Sequence, residues 1–217
     1  MRHTTEVPAP NSRAAAAAAR RQQLLEVAEQ LFLESGYSKT SVSRIVKTAG
    51  VAQGTFYLYF STKEEILLEL RRGVLRRLRR AFKAAASSDA PPDARLAMGF
   101  VAVAEEVVRN VPLLRQFRSA ETAVQTEQVV LDGRNSMAAP IAALLDDGVA
   151  AGAFVVDSVP IAAHAVLSLV SDLVYTSAAY GEPAPIGSLV PTTTRLLLRS
   201  LGVAPLRIDE LAPLEAP

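Results

Sequence analysis

The stretch from Thr40 to Lys63 reads TSVSRIVKTAGVAQGTFYLYFSTK, and it decides the fold of the N-terminal part of the chain. A short predicted helix ends at Gly50, because glycine adopts the left-handed turn that stops a helix without steric cost. A second short helix is expected to begin at Gln53 and to end near Tyr59. Two short helices in this order, joined by a tight turn, predict a helix-turn-helix at about residues 41–60.

The second of these helices carries side chains that suit the base edges and phosphates of a DNA duplex. Gln53 can bond adenine in a bidentate way, Thr55 offers both a hydroxyl and a methyl group, and Gly54 allows the backbone to approach closely. We expect DNA contacts from eight residues: Thr40, Ser43, Gln53, Gly54, Thr55, Tyr57, Tyr59 and Lys63. Tyr57 could alternatively be a core aromatic, which is the role expected for Phe56.

The composition excludes several classes of protein and of site. The chain has 217 residues, of which 50% are hydrophobic, so it can form a substantial core. It has no cysteine, which excludes disulfides, thiolate catalysis and zinc bound to sulfur. No apolar run reaches the roughly 18 to 20 residues of a membrane span, and no secretory signal is evident, so we expect a cytoplasmic protein. With only two histidines and no glycine-rich phosphate loop, we expect neither an enzyme nor a metal or cofactor.

Charge is divided unevenly along the chain. Residues 1–83 hold 15 Lys and Arg against 7 Asp and Glu, whereas residues 84–217 hold 8 against 15. A basic front half suits a polyanion such as DNA, and an acidic back half does not. Six arginines between positions 71 and 80 contribute to this excess, and they could contact DNA or form a solvated or interdomain face.

The spacing of apolar residues predicts an all-α chain of about nine helices. The expected helices lie at about 20–35, 41–48, 53–59, from 61 onwards, 93–110, 112–119, 122–151, 159–179 and 188–201. Ser61 and Glu64 have the spacing of a capping box at the start of the fourth helix. A polar, proline-bearing break at 87–92 separates this helix from the rest of the chain.

Residues 20–78 resemble the TetR-type regulators. The matching pieces are Ala28-Glu29-Gln30-Leu31-Phe32, Gly36-Tyr37, Thr40, Ile45, Ala49-Gly50-Val51, Gly54-Thr55-Phe56-Tyr57, Tyr59-Phe60 and Lys63-Glu64. The resemblance implies a ligand-responsive repressor, with a three-helix DNA-binding bundle linked by a fourth helix to a larger helical domain. It also implies that the eight positions named above contact DNA. Leu58 departs from the family, in which this position is often histidine or aromatic, so a phosphate contact there is not expected.

The resemblance and the composition together divide the chain into four segments. They are a flexible basic arm at 1–17, a helix-turn-helix domain at 18–83, a sensor and dimerisation domain at 84–204, and a loose tail at 205–217. The partners it implies are a palindromic double-stranded DNA operator, a second copy of the chain and a small hydrophobic effector. The last two predicted helices are apolar on several sides, so we expect the homodimer to form through them.

The effector site is predicted only in outline. His164, Ser168, Asp172 and Tyr175 follow one face of a helix, which could meet solvent, a partner or a pocket. With Met98, Phe100, Phe117 and Phe154 they form the candidate lining of a ligand pocket.

Three alternatives remain open on the sequence. The chain could be a transcriptional activator, a regulator without a small-molecule effector, or a helical binding protein that has lost its DNA function.

Overall fold

The computed structural model of the chain describes residues 10–120, 127–179 and 186–213. Within these ranges the side chains of 10–12, 118–119, 127–134, 170, 172–179 and 186–188 are not described. The described residues form nine helices and no strand, which confirms the all-α prediction. The helices are α1 Pro10–Ser35, α2 Val42–Ala49, α3 Gln53–Tyr57, α4 Lys63–Ala86, α5 Pro92–Ala120, α6 Glu127–Ala150, α7 Val159–Ala179, α8 Ile186–Ser200 and α9 Pro205–Leu211.

The chain divides into two compact units after Leu70, within α4. The first unit is built on the apolar faces of α1 to α4, whose inward side chains recur at helical spacing. Its most deeply buried side chains are Leu24, Phe32, Ile45, Phe56, Phe60 and Ile66. Around these side chains, α2 packs against α1 and α3 packs against α2.

Helix α1 begins earlier than the sequence predicted. The prediction of a flexible arm at 1–17 is wrong for residues 10–17, because α1 begins at Pro10. The alanines at 14–19 are exposed on every side of this extension, so the helix there rests on propensity and not on packing. Alanine is the best helix former, which explains the result. Residues 1–9 lie outside the described part of the chain.

The cap of α4 is shifted by one residue from the expected capping box. The hydroxyl of Thr62 accepts a hydrogen bond from the Glu65 N–H at 3.2 Å, and Glu65 accepts one from the Ser61 N–H at 2.6 Å. Glu64 was expected to complete the box, but its carboxylate accepts a hydrogen bond from the Tyr37 hydroxyl instead. A contact distant in sequence therefore decides which glutamate closes the cap.

In the second unit, α7 packs against both α5 and α6, and α8 packs against α5. The sequence predicted two helices at 93–110 and 112–119, but α5 runs through Pro112 as one helix. Proline removes one helical hydrogen bond. Because Leu113 and Phe117 are buried beyond it, packing outweighs that loss. Helix α7 has the predicted bounds, and α6 runs through Pro140 as expected for the helix at about 122–151.

The prediction of a loose tail at 205–217 is also wrong for residues 205–211. Residues Pro205–Leu211 form α9, and the Ile208 side chain is fully buried. Arg207 Nε lies 2.7 Å from Asp93 Oδ2 at the start of α5, and Arg195 lies 2.5 Å from Asp209. One apolar anchor and two ion pairs thus hold a segment whose alanines and prolines alone suggested no structure.

None of the helices in the described ranges combines the length and the apolarity that crossing a membrane requires.

Candidate nucleic-acid interface

The turn between α2 and α3 is fixed by its two caps. Ser41 caps the start of α2, where its hydroxyl accepts a hydrogen bond from the Arg44 N–H. Gly50 ends the helix with φ +66°, and the Val51 N–H donates to the Val46 carbonyl at 3.0 Å. An L side chain is strained at that φ, so glycine is favoured at position 50. The predicted turn at Gly50 is confirmed.

Helix α3 turns its N-terminal end and one face outward. Phe56 is fully buried and stacks near Phe60, with ring centroids 5.9 Å apart. This anchor leaves Gln53 exposed and Tyr57 55% exposed. Tyr57 is therefore not a core aromatic.

The other residues of this region that are predicted to contact DNA differ in their exposure to solvent. Ser43 on α2 and Gly54 on α3 are exposed, whereas Thr55 and Tyr59 are half-buried. Leu58, the departure from the family pattern, is among the most exposed side chains, at 79%.

The packing of the protomer does not explain why position 54 is a glycine. A Cβ added there would meet no described atom within 4 Å beyond its chain neighbours and helix backbone, and its φ is not positive. Glycine inside a helix costs about 1 kcal/mol relative to alanine. Space and backbone conformation would both allow alanine, so the bare backbone suits the close approach of another molecule.

Three exposed cations, two on α2 and one just before it, were missed as candidate contacts. Lys39, Arg44 and Lys47 are exposed, and within the described ranges none of the three forms an ion pair. The sequence held the signal, because no Asp or Glu occurs between Gly36 and Lys63. We call the set Lys39, Ser43, Arg44, Lys47, Gln53, Gly54, Thr55 and Tyr57 the α2–α3 surface.

Thr40 does not belong to this surface. Its side chain is 1% exposed, and its hydroxyl donates to the Gly36 carbonyl at 2.9 Å. Its backbone N–H donates to the Tyr37 carbonyl. A phosphate has no access to either donor, so the expected DNA contact from Thr40 is withdrawn.

Lys63 is also engaged within the protein. Its Nζ donates to the carbonyl oxygens of Tyr37 and Thr40, both at 2.9 Å, and lies 4.0 Å from the Tyr37 ring centroid. Burial lowers the pKa of Lys63, and the neighbouring Glu64 carboxylate opposes part of that shift. Within the protomer, two N–H groups of the Lys63 ammonium are therefore bonded to backbone carbonyls.

The Tyr37 and Glu64 side chains complete the same cluster. The Tyr37 hydroxyl donates to Glu64 Oε1 at 2.7 Å. Burial and this carboxylate raise the pKa of Tyr37. Burial alone would raise the pKa of Glu64, but the hydrogen bond from Tyr37, other hydrogen bonds and the Lys63 charge lower it overall.

The candidate pocket residues separate into two groups. Phe100, Phe117 and Phe154 are buried in the second unit. Met98 is 45% exposed, and His164 and Ser168 are exposed on α7. These three side chains face out of the protomer because the apolar side of each helix takes the core, so they do not line an interior pocket. Asp172 and Tyr175 lie on α7, outside the residues whose side chains are described.

The geometry of α2 and α3 agrees with the comparisons to known proteins. Residues 24–70 match the family model described as bacterial regulatory proteins, tetR family. The matched segment includes α2, α3 and the start of α4, and so contains the whole α2–α3 surface.

Individual relatives show the same relationship. The chain is 50% identical over 48 residues to the fatty acid metabolism regulator protein of Bacillus subtilis, covering 22% of this chain and 25% of that protein. It is 39% identical over 88 residues to the HTH-type transcriptional repressor KstR2 of Mycobacterium tuberculosis, covering 41% of this chain and 44% of that one. The matched segment thus spans less than half of either relative.

The fold similarity extends much further than these alignments. The solved structure of the TetR-family transcriptional regulator PfmR from Thermus thermophilus matches with a TM-score of 0.63 and 27% identity. The match covers 81% of this chain and 97% of that one. The second unit therefore shares the helical fold of a TetR-family regulator.

Proposed function

We propose that this chain is a sequence-specific DNA-binding transcriptional regulator, and that it acts as a ligand-responsive repressor. The observation that carries the proposal is the composition of the α2–α3 surface. An exposed glutamine and tyrosine lie on the short second helix of a helix-turn-helix, beside a glycine that the protomer's own packing does not require. Exposed cations flank them, and the sequence supplies no acid between Gly36 and Lys63.

Each part of this surface has a distinct role in binding. The N-terminal end of α3 enters the major groove, where Gln53 bonds a base edge and Thr55 contacts a base or phosphate. Gly54 lets the backbone come close to the duplex. Lys39, Arg44, Lys47, Ser43 and Tyr57 contact phosphates, which supply affinity without sequence information.

A homodimer brings two such surfaces to one palindromic operator. The centres of its half-sites would lie about 34 to 36 Å apart or a multiple of that distance. The helices proposed to form the dimer are α7 and α8. Their outward faces expose Ile161 and Leu196, at 72% and 55%, although each lies on a helix whose other face is buried. Large exposed aliphatic side chains on neighbouring helices are suited to contact with a second copy.

The effector is proposed to be a small, largely apolar molecule bound in the second unit. Phe100, Phe117 and Phe154 are buried there among aliphatic side chains. The buried polar side chains described in this unit are Asp93, Asn110 and Thr194, and each has a hydrogen-bond partner. A ligand that favours one of two conformations of the dimer changes operator affinity by its difference in affinity for the two. Helix α4 carries residues of both units and is the proposed route of that coupling.

The test begins with an operator selected from random duplexes by the wild-type protein. We expect Gln53→Ala to weaken operator binding by about 1 to 3 kcal/mol and to leave affinity for random DNA nearly unchanged, because it removes a base contact. Tyr57→Ala should weaken binding to both DNAs, because it removes a phosphate contact. Fluorescence anisotropy at several salt concentrations measures both effects.

The matched control is Gln30→Ala. Gln30 is exposed on α1, where it donates to Glu34, and has no place on the α2–α3 surface. Wild-type affinity and selectivity in both Gln53→Ala and Tyr57→Ala would contradict the proposed interface. A wild-type affinity that does not fall with added salt would contradict DNA binding altogether.

A further inference from the structure

The first turn of α4 holds a cation in a position that needs a physical explanation. Lys63 is the first residue of α4, where the positive end of the helix dipole disfavours a positive charge. Two glutamates follow it directly, as is usual for a helix N-terminus. The lysine is half-buried, and desolvation adds to the cost of its charge.

The contacts of Lys63 offset that cost. Two of the three N–H groups of its ammonium donate to the carbonyl oxygens of Tyr37 and Thr40 at 2.9 Å. The charge also lies over the Tyr37 ring, 4.0 Å from its centroid, within the range of a cation–π interaction. All of these acceptors belong to residues 36–40, the connector between α1 and α2.

Two further hydrogen bonds hold the connector, one to α4 and one within the connector itself. The Tyr37 hydroxyl donates to Glu64, and Tyr37 is only 3% exposed. The Thr40 hydroxyl donates to the Gly36 carbonyl, and the next residue, Ser41, is the N-cap of α2. The start of α2 is therefore bonded to the first turn of α4. The other end of α2 is held from α1, because Gln23 donates to the Ala49 carbonyl at 2.9 Å.

We propose that Lys63 is a positioning residue, which fixes the start of α2 and thereby the orientation of α3, and that it does not bind phosphate. This inference rests on the proposed function, because the orientation of α3 affects binding only if α3 contacts DNA. A helix-turn-helix that is misplaced loses base contacts, which require a fixed geometry, before it loses phosphate contacts.

Lys63→Met tests the proposal, since it keeps the apolar stem and removes the charge. We expect operator affinity to fall roughly tenfold, the ratio that corresponds to losing one base contact when α3 is misplaced. Affinity for random DNA should stay near the wild-type value, and so should the slope of log affinity against log salt. Lys47→Met is the matched control, because Lys47 is an exposed lysine of the α2–α3 surface. It should weaken binding to both DNAs and lower the slope by about 0.9 for each head of the dimer.

Two results would overturn the proposal. A slope that falls in Lys63→Met as it does in Lys47→Met would identify Lys63 as a phosphate ligand. A lower melting temperature with wild-type operator affinity in the folded protein would reduce Lys63 to a structural role. A wild-type protein without salt-dependent operator binding would remove the proposed function itself, and the wild type alone reveals that outcome.

Tyr37→Phe decides the question if Lys63→Met does not fold. It removes the hydrogen bond to Glu64, from a residue too buried to touch DNA. Weaker operator binding with an unchanged salt slope supports the positioning role, and wild-type binding contradicts it.

Discussion

The cations of the α2–α3 surface and those that join α5, α8 and α9 are used in opposite ways. Lys39, Arg44 and Lys47 are exposed and form no ion pair in the described part of the chain. In the second unit, Arg207 is paired with Asp93 and Arg195 with Asp209. The first group leaves its charge available to another molecule, and the second group uses its charge to hold helices together. Replacing these cations is therefore expected to weaken DNA binding on the α2–α3 surface and to lower stability in the second unit.

The largest expected effect is on DNA binding, in the double variant Arg44→Met, Lys47→Met. A dimer would lose four phosphate contacts, so affinity for both operator and random DNA should fall roughly a hundredfold, and the salt slope should fall with it. Unfolding by urea should be almost unchanged. Anisotropy titrations across a salt series give the affinities.

A matched double variant in α4 tests whether position or net charge matters. Arg79 and Arg80 are exposed and belong to the second unit. Arg79→Met, Arg80→Met should bind DNA with nearly wild-type affinity. Equal losses in the two double variants would show that overall charge, and not the α2–α3 surface, sets the affinity.

The next effect is on stability, in Arg207→Met. This change leaves the Asp93 carboxylate, whose side chain is 10% exposed, without its cation. Breaking a fully buried ion pair costs about 3 to 5 kcal/mol, and since Arg207 is itself 35% exposed we expect about 2 kcal/mol. Urea denaturation measures the loss, and operator selectivity of the folded protein should not change. Arg199→Met, at an exposed arginine of α8, is the control and should cost little.

Two glycines of the α2–α3 region should respond to alanine with opposite signs. Gly50→Ala should lower the free energy of unfolding by about 1 kcal/mol, because φ is +66° there. Gly54→Ala should raise it by about 0.5 to 1 kcal/mol through helix propensity, yet weaken operator binding because the methyl group faces the duplex. Thermal melts and operator titrations of both variants separate the two effects. Undiminished operator binding by Gly54→Ala would show that the glycine has no part in DNA approach.

The smallest effect is a pH dependence in the paired region. Burial alone would raise the pKa of Asp93, but hydrogen bonds from Arg207 and the Ala94 N–H, with the Arg207 charge, lower it overall. The unfolded chain then binds more protons between the folded pKa and the ordinary value of 3.8. The stabilisation from Asp93 is present above that ordinary value and is lost as the pH falls through the folded pKa. Asp93→Asn should be less stable than wild type at pH 7, and urea denaturation should show the difference shrinking below about pH 4.

Local signals were enough to predict the turn and several of the helices. The serine cap at Ser41, the left-handed Gly50 and the bounds of α7 follow from residues adjacent in sequence. The exposure of Gln53 follows from the helical spacing that buries Phe56.

Several features that the sequence did not predict depend on contacts between distant residues. Thr40 and Lys63 have the residue types of phosphate ligands, but they are bonded to carbonyls up to 26 positions away. Helix α9 is held by Asp93, which lies 114 residues from Arg207. Lys39, Arg44 and Lys47 are different, since their lack of acidic neighbours was visible in the sequence.

The measurement that tests the interface most directly uses the absence of natural cysteine. A single Gln53→Cys protein is mixed with selected operator duplexes that carry a thiol tether in the major groove, one base position at a time. The proposed interface predicts a disulfide at one position in each half-site and none with Gln30→Cys. If Gln53→Cys forms no more cross-link than Gln30→Cys at every position, the N-terminal end of α3 does not enter the major groove.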